Sequence, residues 1–94
     1  MYDDISQLDS YLGDIELLKQ AVKQFTESFL KQIDNSGVDI NEACFYDKIL
    51  EIIDEPVLEA LIKHYRHNQT AISRILGLSR GTARKKLKKH NLIK

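Results

Sequence analysis

The feature that most constrains the fold of this 94-residue chain is a helical segment that is apolar on nearly every side. Between residues 49 and 65, apolar side chains fall on almost all faces of the predicted helix. Such a helix must be covered on most sides, and a chain of this length has room for only one small core. Because one further helix and a short C-terminal unit cannot cover it, we expect a homodimer with a four-helix core formed by the first two helices of each chain.

A second apolar pattern predicts the other helix of this core. From Asp14, a candidate N-cap, apolar residues recur at gaps of three and four through Ile33, as on one face of an amphipathic helix. Residues 34–37 predict its end, and residues 39–42 resemble a capping box that opens the second helix. Pro56 lies inside the second helix and predicts a kink rather than a break. The expected dimer core contains Leu18, Val22, Phe25, Phe29, Ile49, Ile53 and Val57.

The charges are segregated along the chain. Residues 1–59 contain all fourteen acidic residues and only four basic ones, a formal charge of −10. Residues 60–94 contain ten basic residues and no acidic one, a formal charge of +10. A chain end this basic attracts polyanions. Nucleic-acid binding by the C-terminal third is therefore the first functional prediction.

The basic third contains the pattern of two short helices joined by a tight turn. Asn68 can cap a helix through Leu76, with Ile72, Ile75 and Leu76 facing inward. Gly77 suits a left-handed backbone, and the two residues that follow it would provide a buried plug, Leu78, and the next N-cap, Ser79.

The last predicted helix, from about Arg80 to His90, is strongly basic. Its inward stripe would be Ala83 and Leu87, which are four residues apart. The outward residues would then be Gly81, Thr82, Lys85, Lys88 and Lys89. Because Gly81 lacks a side chain, this helix can lie close against DNA. Two short helices with a Gly-Leu-Ser turn and a basic second helix are typical of a helix-turn-helix.

These residues resemble a known family. Asn68-Gln69-Thr70, the segment from Gly77 to Thr82 and the run from Arg84 to Lys89 are similar to the C-terminal end of the Fis family, bacterial homodimeric nucleoid proteins that bend DNA. The resemblance is specific over about residues 47–94 and general over the first helix. Related C-terminal helix-turn-helix segments also occur in NtrC-type activators. There they follow a large ATPase domain, which these 94 residues lack.

The resemblance implies roles for individual residues. Arg80 would read a guanine, and Lys85 would also reach bases. Ser79 stands where known members have an Asn that contacts a base edge, so it would contact bases too, with a relaxed or shifted preference. Ala71 replaces an Arg that can add a phosphate contact. The residues that match phosphate-contacting or DNA-essential positions are Asn68, Thr70, Thr82, Arg84, Lys86, Lys88 and Lys89.

The resulting organisation has three parts. Residues 1–13 would be a mobile acidic arm, residues 14–66 the dimerisation helices and residues 67–94 the helix-turn-helix. Fis uses a β-hairpin arm to activate DNA invertases. Since this arm is acidic and lacks a hairpin turn signal, recombinase activation is not expected.

The expected function is sequence-tolerant binding and bending of double-stranded DNA with an A·T-rich centre, as a nucleoid-associated transcription regulator. Two alternatives are a site-specific regulator acting at few operators and a dimeric protein-interaction adaptor with a secondary basic tail. DNA binding to many sequences, to one sequence or to none would distinguish the three.

Other classes of function have little support in the sequence. We find no phosphate-cradling glycine loop and no nucleophile beside a base, so we expect neither an enzyme nor a cofactor. His64 and His67 are a weak metal pattern, and no metal is expected. The single cysteine, Cys44, excludes an internal disulfide and suits a small apolar core position. Without a signal peptide or an apolar span, the expected location is the cytoplasm, at the nucleoid.

Overall fold

The computed structural model describes residues 11–94, so that residues 1–10 of the predicted arm lie outside the described residues. Within residues 11–94 the secondary structure is entirely helical, which confirms the all-α prediction with four helices. The elements are α1 (Leu12–Ser36), a short 3-10 turn (Ile40–Glu42), α2 (Phe45–Tyr65), α3 (Gln69–Leu76) and α4 (Arg80–Lys89).

Helix α1 begins earlier than the sequence predicted. Its first residue is Leu12, and its N-cap, Tyr11, makes no side-chain capping hydrogen bond. Asp14, the predicted N-cap, therefore lies within the first turn of the helix instead. There the positive end of the helix dipole stabilises its carboxylate. The helix ends as predicted, at Gly37, whose φ of 74° is left-handed. No residue of α1 is buried in the single chain.

The segment predicted to open the second helix forms a separate turn instead. The Asp39 carboxylate accepts a hydrogen bond from the Asn41 N–H at 2.9 Å, and this closes only a 3-10 turn. Cys44 then adopts a left-handed φ of 48°, which interrupts the helical backbone, so that α2 starts at Phe45. Cys44 is exposed, and its predicted core position is therefore wrong.

The chain divides between Ala43 and Cys44 into two compact units. The second unit contains α2 together with α3 and α4. The sequence instead grouped the second helix with the first, as the dimerisation region of residues 14–66. That dimerisation region stays a prediction.

Helix α2 leaves much of its apolar surface uncovered. It continues through Pro56 without a break, as predicted. Ile49 and Leu58 are buried, but Leu50, Ile52 and Val57 remain 43%, 52% and 41% exposed in the single chain. None of the helices within the described residues combines the length and hydropathy needed to cross a bilayer.

The core of the second unit draws on three helices. Leu58 of α2, Ile72 of α3 and Leu87 of α4 are almost completely buried. Each such side chain contributes about 1.5–3 kcal/mol of hydrophobic stabilisation. Helix α3 contacts both α2 and α4. The helix-turn-helix is therefore fixed to the end of α2 by packing, which holds α4 in place.

One predicted inward residue of α3 faces out. Ile75 is 60% exposed, while Ser73 is buried and donates its hydroxyl proton to the Thr70 carbonyl at 2.9 Å. The inward arc of α3 thus runs from Ile72 to Ser73, which are about 100° apart around the helix. Ile75 is three residues beyond Ile72, which places it about 60° from Ile72 on the side away from Ser73.

Candidate nucleic-acid interface

The turn between α3 and α4 has the geometry that the sequence predicted. Gly77 has a φ of 72°, and its N–H donates to the Arg74 carbonyl at 3.1 Å. The Leu78 N–H donates to the Ser73 carbonyl at 3.0 Å. This pair of hydrogen bonds is the Schellman closure that a left-handed glycine permits. Leu78 is half-buried rather than fully buried.

Both N-caps predicted for the helix-turn-helix are confirmed. The Asn68 side chain accepts a hydrogen bond from the Ala71 N–H at 3.1 Å, and the Ser79 hydroxyl accepts one from the Thr82 N–H at 3.2 Å. Caps of this kind stabilise a helix by about 1 kcal/mol. They fix where α3 and α4 begin, and so which residues occupy the first turn of α4.

The Ser79 hydroxyl is occupied within its own helix. Besides capping α4, it donates its proton to the Thr82 Oγ1 at 3.0 Å. A base contact by Ser79 would therefore compete with this local hydrogen bond. The predicted base role of Ser79 and the predicted phosphate role of Thr82 stay predictions.

Helix α4 presents a cationic face to solvent. Ala83 and Leu87 are buried, as predicted, and they attach the helix to the unit below. Gly81 and Thr82 are exposed beside this cationic face, which consists of the exposed side chains of Arg80, Arg84, Lys85 and Lys88. Within residues 11–94 none of these four cations forms an ion pair with a carboxylate. The face is therefore open to an anionic partner.

Two other lysines of α4 have carboxylate partners on α2. The Lys86 ammonium donates to Asp54 Oδ2 at 2.8 Å, and the Lys89 ammonium pairs with the Glu51 carboxylate. Lys86 is half-buried, whereas Lys89 is exposed. Both lysines were predicted to contact phosphate, and neither ion pair was predicted. A signal was present in the carboxylates at positions 47, 51 and 54, whose spacing places them on one face of α2.

The ion pair of Glu51 and Lys89 changes the pKa of both groups. The hydrogen bond from Lys89, and then its positive charge, lower the pKa of Glu51 below the ordinary value. The same hydrogen bond and the Glu51 charge raise the pKa of Lys89. Both groups are therefore charged at neutral pH, and the pair is ionic.

The other predicted phosphate contacts lie at the start of α3. Asn68 is exposed and Thr70 is half-buried. The Asn68 oxygen serves the helix cap, which leaves its amide NH₂ group to act as a donor. The N-terminus of a helix favours phosphate because its first backbone N–H groups lack intrahelical partners.

No group of residues within the described part of the chain is suited to hold a metal ion. His64 is one of the two histidines in the weak metal-binding pattern of the sequence. It packs edge-on against the ring of Tyr65, with ring centroids 4.7 Å apart.

Two short helices with a left-handed glycine between them, and a second helix that exposes cations, define a helix-turn-helix protein. The sequence profile described as "Bacterial regulatory protein, Fis family" matches residues 49–90, which include most of α2 and all of α3 and α4. The chain belongs to the Fis family.

Relatives in this family are similar over most of the chain. The DNA-binding protein Fis of Pasteurella multocida (strain Pm70) is 40% identical over 75 residues, which are 80% of this chain and 72% of the relative. The DNA-binding protein Fis of Histophilus somni (strain 2336) is 39% identical over 75 residues, with the same coverage. No solved structure shows significant similarity to the chain.

Proposed function

We propose that this chain binds duplex DNA with α4 in the major groove. The observation that carries this proposal is the cationic face of α4, on which Arg80, Arg84, Lys85 and Lys88 are exposed without carboxylate partners in residues 11–94. A major groove admits an α-helix, and phosphates on both sides attract its cations. The names of the relatives, which are DNA-binding proteins, support the same function.

Two residues of α4, Arg80 and Lys85, are proposed to read bases, and other exposed cations of this helix are proposed to contact phosphates. Arg80 is the first residue of α4, and the N-terminal residues of a recognition helix reach base edges. Its guanidinium fork matches guanine O6 and N7. Lys85 is proposed to reach bases as well, whereas Arg84 and Lys88 are proposed to meet the backbone.

The protein is further proposed to act as a homodimer that bends DNA. Apolar side chains of α1 and α2, among them Leu18 and Val57, are exposed in the single chain and need a cover. A two-fold dimer of so short a chain would hold its two α4 helices closer than the 34 Å between successive major-groove faces. The duplex would then curve toward the protein, most easily at an A·T-rich centre. Such a protein suits the role of a nucleoid-associated transcription regulator.

Fluorescence anisotropy tests the DNA-binding proposal. Duplexes with random sequence, with an A·T-rich centre and with a G·C-rich centre would be titrated at several salt concentrations. We expect binding to all three, tighter with the A·T-rich centre, and an affinity that falls steeply with salt. Tight binding to only one selected sequence would instead indicate an operator-specific regulator. Absence of binding would overturn the proposal and favour a protein-interaction adaptor.

Bending has its own measurement. In a circular-permutation gel shift, the mobility of the complex should depend on the position of the site within the fragment. Mobility that does not depend on position would show that the two recognition helices are spaced for straight DNA.

A further inference from the structure

The carboxylate face of α2 lies against one flank of the proposed recognition helix. Glu51 and Asp54 are three residues apart, so both point from the same side of α2. Lys86 and Lys89 are also three residues apart and share one side of α4. The two pairs form together, and Asp47, Lys85 and His90 line the same cleft.

The ion pairs divide the cations of α4 into two sets. Arg84 and Lys88 are four residues apart on the other flank and have no carboxylate partner in the described chain. The paired lysines lie on the flank that faces α2. A phosphate that approaches this flank meets ammonium groups that already have an anionic ligand.

We propose that Glu51 and Asp54 compete with DNA phosphates for Lys86 and Lys89, and that they thereby limit the affinity of this protein for DNA. The proposal rests on the DNA-binding function proposed above. It assigns to the acidic part of the chain a direct effect on the DNA-binding surface, rather than a general repulsion.

The exposure of the pairs favours competition over a purely structural role. The Lys89 and Glu51 side chains are 63% and 45% exposed, and those of Lys86 and Asp54 are 38% and 30% exposed. Partly exposed ion pairs contribute little to folding stability because water screens them. A lysine can therefore exchange its carboxylate for a phosphate without loss of the packing that holds α4, which depends on Ala83 and Leu87.

The charge state of the pair of Glu51 and Lys89 supports the same conclusion. Since the pKa of Glu51 is lowered and that of Lys89 is raised, their pair stays ionic across the neutral range. A lysine that stays paired with a carboxylate neutralises a phosphate less completely, so fewer of the counterions condensed on the DNA are released. The salt dependence of binding should therefore be shallower than the number of cations on α4 suggests.

The test uses isosteric neutral variants of the full chain. In Glu51→Gln, Asp54→Asn and the double variant, each lysine loses its anionic partner but keeps its packing. We expect the affinity for a random duplex to rise roughly fivefold to tenfold for each lysine released, at about 0.1 M salt. The slope of log affinity against log salt should steepen by about 0.9 for each new phosphate contact.

A matched control removes the same charge without touching the pairs. Glu55 is exposed on α2, next to Asp54, and forms no ion pair within residues 11–94. Glu55→Gln should change affinity only through the net charge, and it should leave the salt slope unchanged. In a Lys86→Gln background, Asp54→Asn should give no gain beyond that of Glu55→Gln.

The outcomes are distinct. Neutral variants that fold like the wild type and bind no more tightly than Glu55→Gln, with an unchanged slope, would overturn the proposal. Weaker binding by these variants would also overturn it, since the pairs would then position α4 for DNA. If the wild type and all variants fail to bind any duplex, the proposed DNA-binding function itself is wrong. Circular dichroism of each variant confirms that it is folded.

Discussion

The two glycines beside the turn of the helix-turn-helix have different physical roles. Gly77 has a φ of 72°, which a residue that has a Cβ adopts only with strain. Gly81 lies in the first turn of α4 with an ordinary helical backbone. A Cβ at Gly81 would meet no atom of the chain within 4 Å. The fold therefore needs glycine at position 77 and does not need it at position 81.

Replacement of Gly81 by alanine should separate stability from binding. Alanine loses less backbone entropy in a helix than glycine, so Gly81→Ala should raise the free energy of unfolding by about 0.5 kcal/mol. If α4 lies close against DNA, the added methyl group should weaken DNA binding in the same protein. Urea unfolding and anisotropy titration measure the two effects. Unchanged affinity would show that the backbone at Gly81 does not closely approach the duplex.

Arg66 occupies a backbone conformation that favours glycine. Its φ of 57° and ψ of −126° place it at the first central position of a type II′ turn, which the Asn68 N–H closes by donating to the Tyr65 carbonyl at 3.1 Å. A residue held in such a conformation costs about 1–3 kcal/mol. Arg66→Gly should therefore raise the free energy of unfolding by about 1 kcal/mol in urea denaturation.

Alanine at the same position is the control for Arg66→Gly. Arg66→Ala removes the same charge and side chain but retains a Cβ, so it should not give this gain. Equal stability of the glycine and alanine variants would mean that the turn is not strained at Arg66.

At the scale of elements, sequence reasoning succeeded where the interactions are local. The caps at Asn68 and Ser79 and the left-handed Gly77 each depend on residues within a few positions, and all three were predicted. The predicted start of α2 was wrong because the hydrogen bond to the Asp39 carboxylate resembles a helix N-cap but closes only a short turn. The partners of Lys86 and Lys89 were missed because ion pairs between α2 and α4 join residues far apart in sequence.

The cap of α3 offers a prediction at this scale. Asn68 both caps α3 and is proposed to contact phosphate. Asn68→Asp should keep the stability of the protein, because aspartate caps as well as asparagine and favours the helix dipole. It should weaken DNA binding, because it places a negative charge where a phosphate would lie.

Asn68→Ala completes the comparison with the aspartate variant. It should lower the free energy of unfolding by about 1 kcal/mol because the cap is lost. Thermal unfolding and anisotropy titration measure stability and affinity in both variants. If Asn68→Asp binds DNA as tightly as the wild type, Asn68 is a structural cap and no phosphate lies near it.

At the scale of the whole molecule, much apolar surface of residues 11–94 is exposed in the single chain. No residue of the 25-residue helix α1 is buried, and Leu17 and Leu18 are 67% and 58% exposed. On α2, Ile52 is also 52% exposed. The periodicity of apolar residues in the sequence predicted that apolar faces of α1 and α2 must pack against another surface. It could not predict which faces remain open, because that depends on how α2, α3 and α4 pack in the second unit.

The last prediction concerns the assembly that would cover this surface. If folding and dimerisation are one event, the melting temperature of the wild type should rise with protein concentration. Phe29→Asp should place an unpaired charge in the proposed dimer core and cost several kcal/mol, which is enough to unfold the protein at micromolar concentration. Gln24→Asp adds the same side chain at an exposed position of α1 and should be tolerated. Sedimentation equilibrium should give a dimer for the wild type and for Gln24→Asp. A Phe29→Asp variant that remains folded as a monomer would contradict the coupling of folding to dimerisation, since a single chain would then be stable with this apolar surface in water.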